Sequence, residues 1–273
     1  MDKSEVTESN FELSVLGALA IIMFTVVGFY FFPIPFNMML ETTYVNSNKV
    51  LELVLSVLRD LISKGLIIIF ILKIIRASFK VKYIGKFNFK ILLCTAFFIL
   101  GFSMWFRSSI GIMLIKIPST KEVMKVFSEN AQSLYQIFIL QVIIAPTFEE
   151  IVLRGIILEG FLNKYKPITS IIVSSVIFGL WHGNIPQFIT ATILGILVGI
   201  IYYKTRSTVL CIVSHILNNG FTFLYINFNI RTFFIGAVIF IISGILLEKY
   251  IRELKYDGTN ISSAGEEDYN VYK

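Results

Sequence analysis

Polar side chains that suit acid–base chemistry interrupt three otherwise apolar stretches of this sequence. Both histidines of the chain lie in stretches without Asp, Glu, Lys or Arg, at 167–203 and 208–230. Ionisable groups in such apolar segments are costly to bury and usually mark function. The alternative is a polar network that only locks helices together, but such a network needs no histidine. The candidate residues are Glu149, Glu150 and Arg154 in "TFEEIVLRG", His182 in "FGLWHG", and His215 and Asn219 in "VSHILNNG".

The spacing of the two adjacent carboxylates separates their roles. Glu150 and Arg154 are four residues apart, so on a helix they lie on one face and can pair. Glu149 is rotated by about 100° from Glu150 and is expected to face another direction. Pro146, just upstream, either kinks this segment or begins a helix. Glu149 is therefore the carboxylate that we expect to act as a base.

Amide hydrolysis by an activated water is the reaction that suits these side chains. Glu149, helped by His182, can deprotonate water. His215 and Asn219, four residues apart, can donate hydrogen bonds to the oxyanion that forms when water attacks a carbonyl. The sequence has no G-x-S-x-G motif, and Cys211 has only His215 near it on its own segment. A second version places a metal ion on Glu149, His182 and His215, although no H-E-x-x-H motif is present.

The composition indicates a membrane protein. The chain has 273 residues, of which 56% are hydrophobic and 15% charged, and its mean hydropathy is +0.78. Soluble domains are about 45–50% apolar and about 25% charged. The predicted fold class is all-α, a polytopic membrane helix bundle of about eight transmembrane helices. The predicted spans are 13–32, 52–75, 89–106, 134–160, 167–183, 185–203, 208–226 and 230–247.

Four basic segments between or after these spans predict the orientation. Eight alternating spans put all four on one side, which the positive-inside rule makes cytoplasmic, together with both termini. The uncharged segments "HGNIPQ" and "YINFNI" then lie outside. Because the positive charge follows this pattern, the net charge of +6 does not indicate a nucleic-acid partner. The basic segments are "RASFKVKYIGKFNFK", "NKYK", "YKTRS" and "EKYIRELK".

Other features complete the predicted organisation. The second span is the weakest, because Arg59, Asp60 and Lys64 interrupt it and its first half can be an amphipathic surface helix. Cys94 and Cys211 are expected to be core residues rather than a disulfide or a metal site. No cleavable signal peptide is expected at the polar start of the chain. Three regions are predicted: helices and loops at 1–133, the site-bearing bundle at 134–247 and a cytoplasmic tail at 248–273. The first region ends in a mixed loop with a short helix at 107–133, and the last 25 residues of the chain are expected to be disordered.

Depth along the predicted spans is consistent with a single site. At 1.5 Å per residue from the basic loops, Glu149, His182 and His215 all fall inside an apolar core about 30 Å thick. We therefore expect them to converge on one buried, water-accessible cavity.

Three motifs in this region resemble those of the CPBP intramembrane proteases, also called the Abi or CAAX-protease family. "EEIVLR" resembles the EExxxR motif, "FGLWH" the FxxxH motif and "HILNN" the HxxxN motif. They occur in the family's order within residues 134–226 and hold every histidine of the chain. The N-terminal third resembles the family only as generic hydrophobic spans.

The resemblance implies a role for each motif residue. Glu149 with His182 would activate water, and His215 with Asn219 would form the oxyanion hole. Arg154 would order the carboxylates. The family is often labelled metalloprotease, whereas its prenyl-protein member has been argued to be a metal-independent glutamate protease. A divalent metal such as zinc is therefore left open as a cofactor.

The resemblance also bears on substrate and location. The family's eukaryotic member trims prenylated CAAX proteins, and bacterial members are linked to signal-peptide or bacteriocin processing and to bacteriocin self-immunity. The Ile-, Lys-, Asn- and Phe-rich composition indicates an AT-rich bacterial genome, and such bacteria generally lack prenylated CAAX proteins. We therefore expect a protein of the bacterial plasma membrane, in contact with lipid, that cleaves some other hydrophobic or lipid-modified peptide.

Two other classes of function compete with a peptidase. One is a membrane scaffold or bacteriocin-immunity protein that retains the motifs only for packing; it would tolerate loss of Glu149 while keeping Arg154 paired with Glu150. The other is a transporter, whose hallmark is two similar halves with discontinuous helices. No such symmetry is visible in the sequence.

Overall fold

Nine helices and a short 3₁₀ turn at Phe221–Phe223 account for the regular structure of the described residues in a computed structural model of the protein. The described residues are 11–40, 48–75, 85, 87–114, 116–117, 134–223 and 228–256, and they include no β-strand. The predicted all-α class is therefore confirmed. The helices are α1 (Val15–Phe31), α2 (Ile34–Leu40), α3 (Lys49–Ile75), α4 (Phe89–Leu114), α5 (134–162), α6 (Pro167–Trp181), α7 (Ile185–Thr205), α8 (Thr208–Gly220) and α9 (Ile230–Tyr256).

Five segments of the described chain are long and apolar enough to cross a membrane, which fits the predicted polytopic membrane protein. They are Val15–Met38, Phe89–Leu114, Tyr135–Leu162, Ile185–Thr205 and Ile230–Leu254. The other three predicted spans also contain helices. Helix α3 carries three charged residues in its middle, α6 has 15 residues and α8 has 13.

Two helices run beyond the bounds predicted for them. Helix α4 continues through Arg107–Gly111, a π-helical segment, to Leu114, where a loop with a short helix was expected. Helix α9 continues to Tyr256, where a disordered tail was expected. Ile251 of that extension is buried, and Arg252 pairs with Glu248 one turn earlier at 3.0 Å, so the extension is amphipathic. Residues 118–133 and 257–273 lie outside the described part of the chain.

The chain divides into two compact units. Unit 1 is Met1–Val81 with Ile117–Gly199, and unit 2 is Lys82–Lys116 with Ile200–Lys273. The regions predicted from sequence, with boundaries at 133/134 and 247/248, stay a prediction.

The core of unit 1 is formed by α1, α3, α5, α6 and the first part of α7. Its fully buried members include Ala18 on α1, Ile67 on α3 and Val152 on α5. Helices α6 and α7 are joined by a short turn and approach closely. A Cβ added at Gly195 would lie 3.0 Å from the Cβ of Ser175. Small residues therefore let these two helices approach each other closely, as in other membrane helix pairs.

In unit 2, α4 and α9 pack along their lengths. A Cβ on Gly101 would lie 2.5 Å from the backbone nitrogen of Phe240, and one on Gly236 would lie 2.5 Å from that of Trp105. The rings of Trp105 and Phe240 stack at 6.1 Å. Glycines and stacked aromatic rings alternate along this interface, which explains why the two backbones come so close.

Candidate active site

The carboxylate–arginine pair predicted from sequence is present and buried in unit 1. Arg154 Nη1 lies 2.7 Å from Glu150 Oε1, and the two side chains are 3% and 0% exposed. Burying two charges in an apolar bundle is costly unless they pair and gain further hydrogen bonds. Arg154 gains one from α7, since its Nη2 donates to the backbone oxygen of Gly195 at 3.3 Å. Glu149, the neighbouring residue, is only half-buried.

Phe178 connects this pair to His182. The guanidinium of Arg154 lies over the ring of Phe178, 5.0 Å from its centroid. The ring of His182 also meets the ring of Phe178, edge-to-face at 5.1 Å. The EExxxR and FxxxH motifs therefore form one packed unit, in which a single aromatic ring supports both the arginine and the histidine.

A hydrogen bond of the His182 ring defines which of its two nitrogens carries the hydrogen. Residue 182 caps the C-terminal end of α6 and is half-buried. Its Nδ1 lies 3.0 Å from the backbone oxygen of Phe178. A carbonyl oxygen only accepts hydrogen bonds, so Nδ1 carries the hydrogen and Nε2 of the neutral ring carries the lone pair. The His182 side chain is thereby oriented to accept a proton or a hydrogen bond at Nε2.

Three aromatic rings hold the two halves of the candidate site together within unit 1. Phe148, next to Glu149 in the chain, lies 6.3 Å from Trp181, which precedes His182. Phe29 of α1 contacts both rings, at 5.4 Å and 6.0 Å. The residues that precede Glu149 and His182 are thus packed against each other, and this places both site residues in one neighbourhood.

The helix that carries the carboxylates is not a regular α-helix. Two π-helical segments, Phe138–Ile144 and Ile151–Leu158, flank the α-helical Ala145–Glu150. Pro146 has no N–H and cannot complete the usual bond to the preceding turn, and the first widened segment ends just before it. Such π segments often occur at functional sites. Of the two sequence alternatives, the proline occupies the first turn of a short α-helical segment, directly after the widened turn.

His215 and Asn219 lie on α8, which belongs to unit 2. His215 is 3% exposed and Asn219 is half-buried. Ser207 caps the start of α8, with its side chain accepting from the Leu210 N–H at 3.3 Å. The structure thus packs Arg154, with its partner Glu150, and His182 against the ring of Phe178 in unit 1, and Glu149 is the chain neighbour of Glu150. Convergence of His215 and Asn219 with them stays a prediction.

A divalent metal is the cofactor that the sequence leaves open. No three His, Cys, Asp or Glu side chains within the described ranges are grouped so that they could hold a metal ion. The donor set proposed from sequence draws Glu149 and His182 from unit 1 and His215 from unit 2, so a metal on these three residues stays a prediction. Cys94 and Cys211 are buried thiols in unit 2.

Several residues of this site were not identified from sequence. The backbone oxygen of Gly195, the ring of Phe29 and the ring of Trp181 each contact a motif residue or its neighbour. Contacts between distant segments leave no local pattern. The one available signal was the absence of charged residues between 167 and 203, which marks the two apolar helices that contact Arg154.

Comparison with known proteins identifies relatives of the site-bearing region. Residues 131–221 match the family "Rce1-like: Type II CAAX prenyl endopeptidase Rce1-like". Over 125 residues the chain is 28% identical to a protein of Bacillus subtilis (strain 168) named "Putative membrane peptidase YdiL". That match covers 46% of this chain and 51% of the relative, so it spans about half the length of each. No solved structure matches significantly. The resemblance given by the three motifs is thereby confirmed.

Proposed function

We propose that this integral membrane protein, in which residues 131–221 are those of a CPBP (CAAX-protease) family member, is an intramembrane endopeptidase. The observation that carries the proposal is the contact in unit 1 between the rings of Phe148 and Trp181, the chain neighbours of Glu149 and His182. His182 is oriented by Phe178 with its Nε2 lone pair available, and Phe148 and Trp181 hold the adjacent backbone. A carboxylate and an oriented imidazole suit activation of water.

The chemistry follows from these groups. Glu149 accepts a proton from water while His182 accepts a hydrogen bond from the same water at Nε2. The oxygen of the water attacks the peptide carbonyl carbon, and the carbonyl oxygen becomes an oxyanion. When this intermediate collapses, the C–N bond breaks and the proton held by Glu149 passes to the leaving nitrogen. The products are a carboxylic acid, which keeps the second proton of the water, and an amine, and no covalent enzyme intermediate forms.

The buried pair beside the base has a supporting role. Glu150 and Arg154 neutralise each other, and Arg154 ties α5 to α6 and α7 through Phe178 and Gly195. We assign this pair to positioning rather than proton transfer, because both side chains are almost fully enclosed by protein. Only Glu149 of the two carboxylates is partly exposed.

His215 and Asn219 are assigned to the oxyanion by motif resemblance. Removal of one oxyanion donor lowers kcat by about 10²–10³. His215→Ala and Asn219→Ala should therefore lower cleavage strongly, whereas Glu149→Gln and His182→Ala should abolish it. Glu150→Gln should act partly through misfolding, because it leaves the Arg154 charge buried without its carboxylate.

The apolar surroundings of the site favour a hydrophobic substrate. Helices α6 and α8 carry no charged residue. An extended hydrophobic or lipid-modified peptide, cut near its membrane-embedded or terminal part, fits such surroundings better than a soluble protein does. We place the protein in the bacterial plasma membrane with both termini cytoplasmic, following the basic segments. Maturation of bacteriocins or other small exported peptides is the processing role that the family resemblance favours.

Whether activity requires a metal cofactor such as zinc is tested by a separate measurement. We propose weak or no chelator sensitivity, because no carboxylate–histidine pair of the sequence has metal-ligand spacing on one helix. Purified active protein would be treated with a strong chelator and then with Zn²⁺. Loss of activity that returns with zinc, together with one zinc per chain, would reverse this proposal.

The scaffold or immunity function remains the second candidate, favoured by the extensive packing role of Arg154. The two functions separate in one experiment. Purified protein in detergent would be offered a library of hydrophobic peptides and, separately, a soluble unfolded protein. A peptidase should cleave the peptides, lose cleavage with Glu149→Gln, and keep it with Glu253→Gln, a matched change at an exposed carboxylate on α9. If the protein digested only the soluble substrate, in a Glu149-dependent way, the proposal of a hydrophobic substrate would be wrong. If it cleaved neither substrate, the scaffold function would be favoured.

A further inference from the structure

Two side chains on one face of α4 hold a single residue of α8 in unit 2. Ser103 and Arg107 are four residues apart, and both reach Asn218. The Ser103 hydroxyl donates to Asn218 Oδ1 at 3.0 Å, and Arg107 Nη2 donates to the Asn218 backbone oxygen at 3.3 Å. Asn218, only 7% exposed, is therefore fixed through its side chain and its backbone at once.

These hydrogen bonds also determine how the side-chain amide of Asn219 is oriented. Because Asn218 Oδ1 accepts from Ser103, the opposite end of the Asn218 amide is its NH₂ group, which donates to Asn219 Oδ1 at 3.3 Å. An amide whose oxygen accepts in this way presents its nitrogen on the other side. Ser103 donates to Asn218, and Asn218 in turn donates to Asn219 Oδ1. These two hydrogen bonds select one orientation of the Asn219 amide, in which Nδ2 points away from Asn218 and is the donor.

Arg107 fixes the backbone at the same place. The last carbonyls of a helix have no partner within the helix, and α8 ends at Gly220. The Arg107 guanidinium binds one of these carbonyls and lies over the ring of Phe221, 5.9 Å from its centroid. A cation at a helix C-terminus also interacts favourably with the helix dipole. The last turn of α8, which carries Asn219, is therefore held by contacts to both the side chain and the backbone of Asn218.

We propose that Ser103, Arg107 and Asn218 are positioning residues that fix the Asn219 amide as a hydrogen-bond donor. This inference rests on the proposed function, in which Asn219 stabilises the oxyanion. It assigns a role to α4, outside the region that resembles the family, and to the first asparagine of "HILNN". A donor fixed before the reaction is worth more than one that must reorient as charge develops.

A double-mutant cycle tests the proposal in the full-length protein with a hydrophobic peptide substrate. Ser103→Ala should lower kcat by about three- to tenfold, the loss expected for one net hydrogen bond, with KM unchanged. Ser103→Thr, which keeps the hydroxyl, should restore most of the rate. In an Asn219→Ala background, Ser103→Ala should have no further effect. Equal fold-losses in both backgrounds, or a loss confined to KM, would overturn the proposal.

A control and a second readout separate this inference from the peptidase proposal. Ser109→Ala, on the same helix, removes a hydroxyl that bonds only to backbone oxygens of its own helix, and it should leave kcat unchanged. The side-chain amide of Asn219 can be observed by NMR in protein labelled with ¹⁵N-asparagine and assigned by its loss in Asn219→Ala. Ser103→Ala should shift or broaden this resonance, while Ser109→Ala should not. If no peptide is cleaved but the resonance responds, the peptidase proposal fails and the positioning role stands; an unchanged resonance would refute the positioning role.

Discussion

Arg154 is the residue through which the candidate site is assembled in unit 1. It pairs with Glu150 on its own helix, binds the Gly195 carbonyl of α7 and lies over Phe178 of α6. Lysine could supply the charge but not the planar group that binds a carboxylate, a carbonyl and a ring face together. The arginine of the EExxxR motif is therefore explained by geometry as well as by charge.

Removing Arg154 should destabilise the protein far more than removing an exposed arginine or lysine. Arg154→Met leaves Glu150 charged and enclosed, and breaking a buried pair in this way costs about 3–5 kcal/mol. Thermal unfolding in a fixed detergent measures the loss. The matched control is Lys249→Met, which breaks the exposed i,i+4 pair with Glu253 and should cost at most about 1 kcal/mol.

A second substitution tests whether the buried charge of Glu150 causes this loss of stability. Adding Glu150→Gln to Arg154→Met removes the uncompensated charge and should recover a large part of the lost stability. If the double variant unfolds as early as the single one, the loss comes from the contacts with Phe178 and Gly195 instead.

Sequence reasoning at this scale succeeded where the interaction is local. The pairing of Glu150 with Arg154 follows from a spacing of four and is found. The double role of Phe178 was not predicted, since the Arg154 contact comes from another helix. The direction of the His182 ring was also not predicted, because it depends on how the end of α6 turns.

At the scale of elements, close helix packing depends on glycines whose environment the sequence does not reveal. The chain has 17 glycines. Gly101 faces the backbone of α9, whereas Gly65 on α3 has no atom within 4 Å of the position its Cβ would take. Both glycines lie in apolar segments of the sequence, and only the tertiary packing distinguishes them.

Alanine at these two positions should therefore have opposite effects. Gly101→Ala places its Cβ against the Phe240 backbone and should destabilise the protein by about 1–3 kcal/mol through overpacking. Gly65→Ala meets nothing and should stabilise its helix by about 0.5–1 kcal/mol. Thermal unfolding of the two variants in the same detergent measures both. A stable Gly101→Ala variant would contradict the close packing of α4 with α9.

Element boundaries were the least predictable part of the fold. The apolar runs located the helices, but α4 and α9 extend past them because amphipathic turns continue a helix without being uniformly apolar. The π segments of α5 were missed, since a widened turn has no composition of its own.

At the scale of the whole molecule, the orientation in the membrane stays a prediction of loop charge. Cysteine labelling with a membrane-impermeant reagent tests it in a variant whose two buried cysteines are replaced by serine. Asn163→Cys and Arg252→Cys, both exposed, should react only after the membrane is opened. Asn229→Cys, also exposed and on the opposite side in the prediction, should react in intact cells. Outside labelling at residue 163 would overturn the orientation.

The composition established membrane class and helical fold, whereas the arrangement of the whole required coordinates. The two compact units each combine segments from both halves of the chain, a topology that no local pattern encodes. Among the motif residues, the unit 1 set is brought together and the unit 2 set lies on α8. Sequence order alone gave no indication of this division.

Glu149, in the function proposed above, activates a water that hydrolyses a peptide bond of a hydrophobic peptide. The most direct measurement is mass spectrometry of such peptides after incubation with the purified protein in H₂¹⁸O. Wild-type protein should yield new C-terminal carboxylates that carry ¹⁸O, and Glu149→Gln protein of equal thermal stability should yield none. Products that form equally with Glu149→Gln would contradict the account.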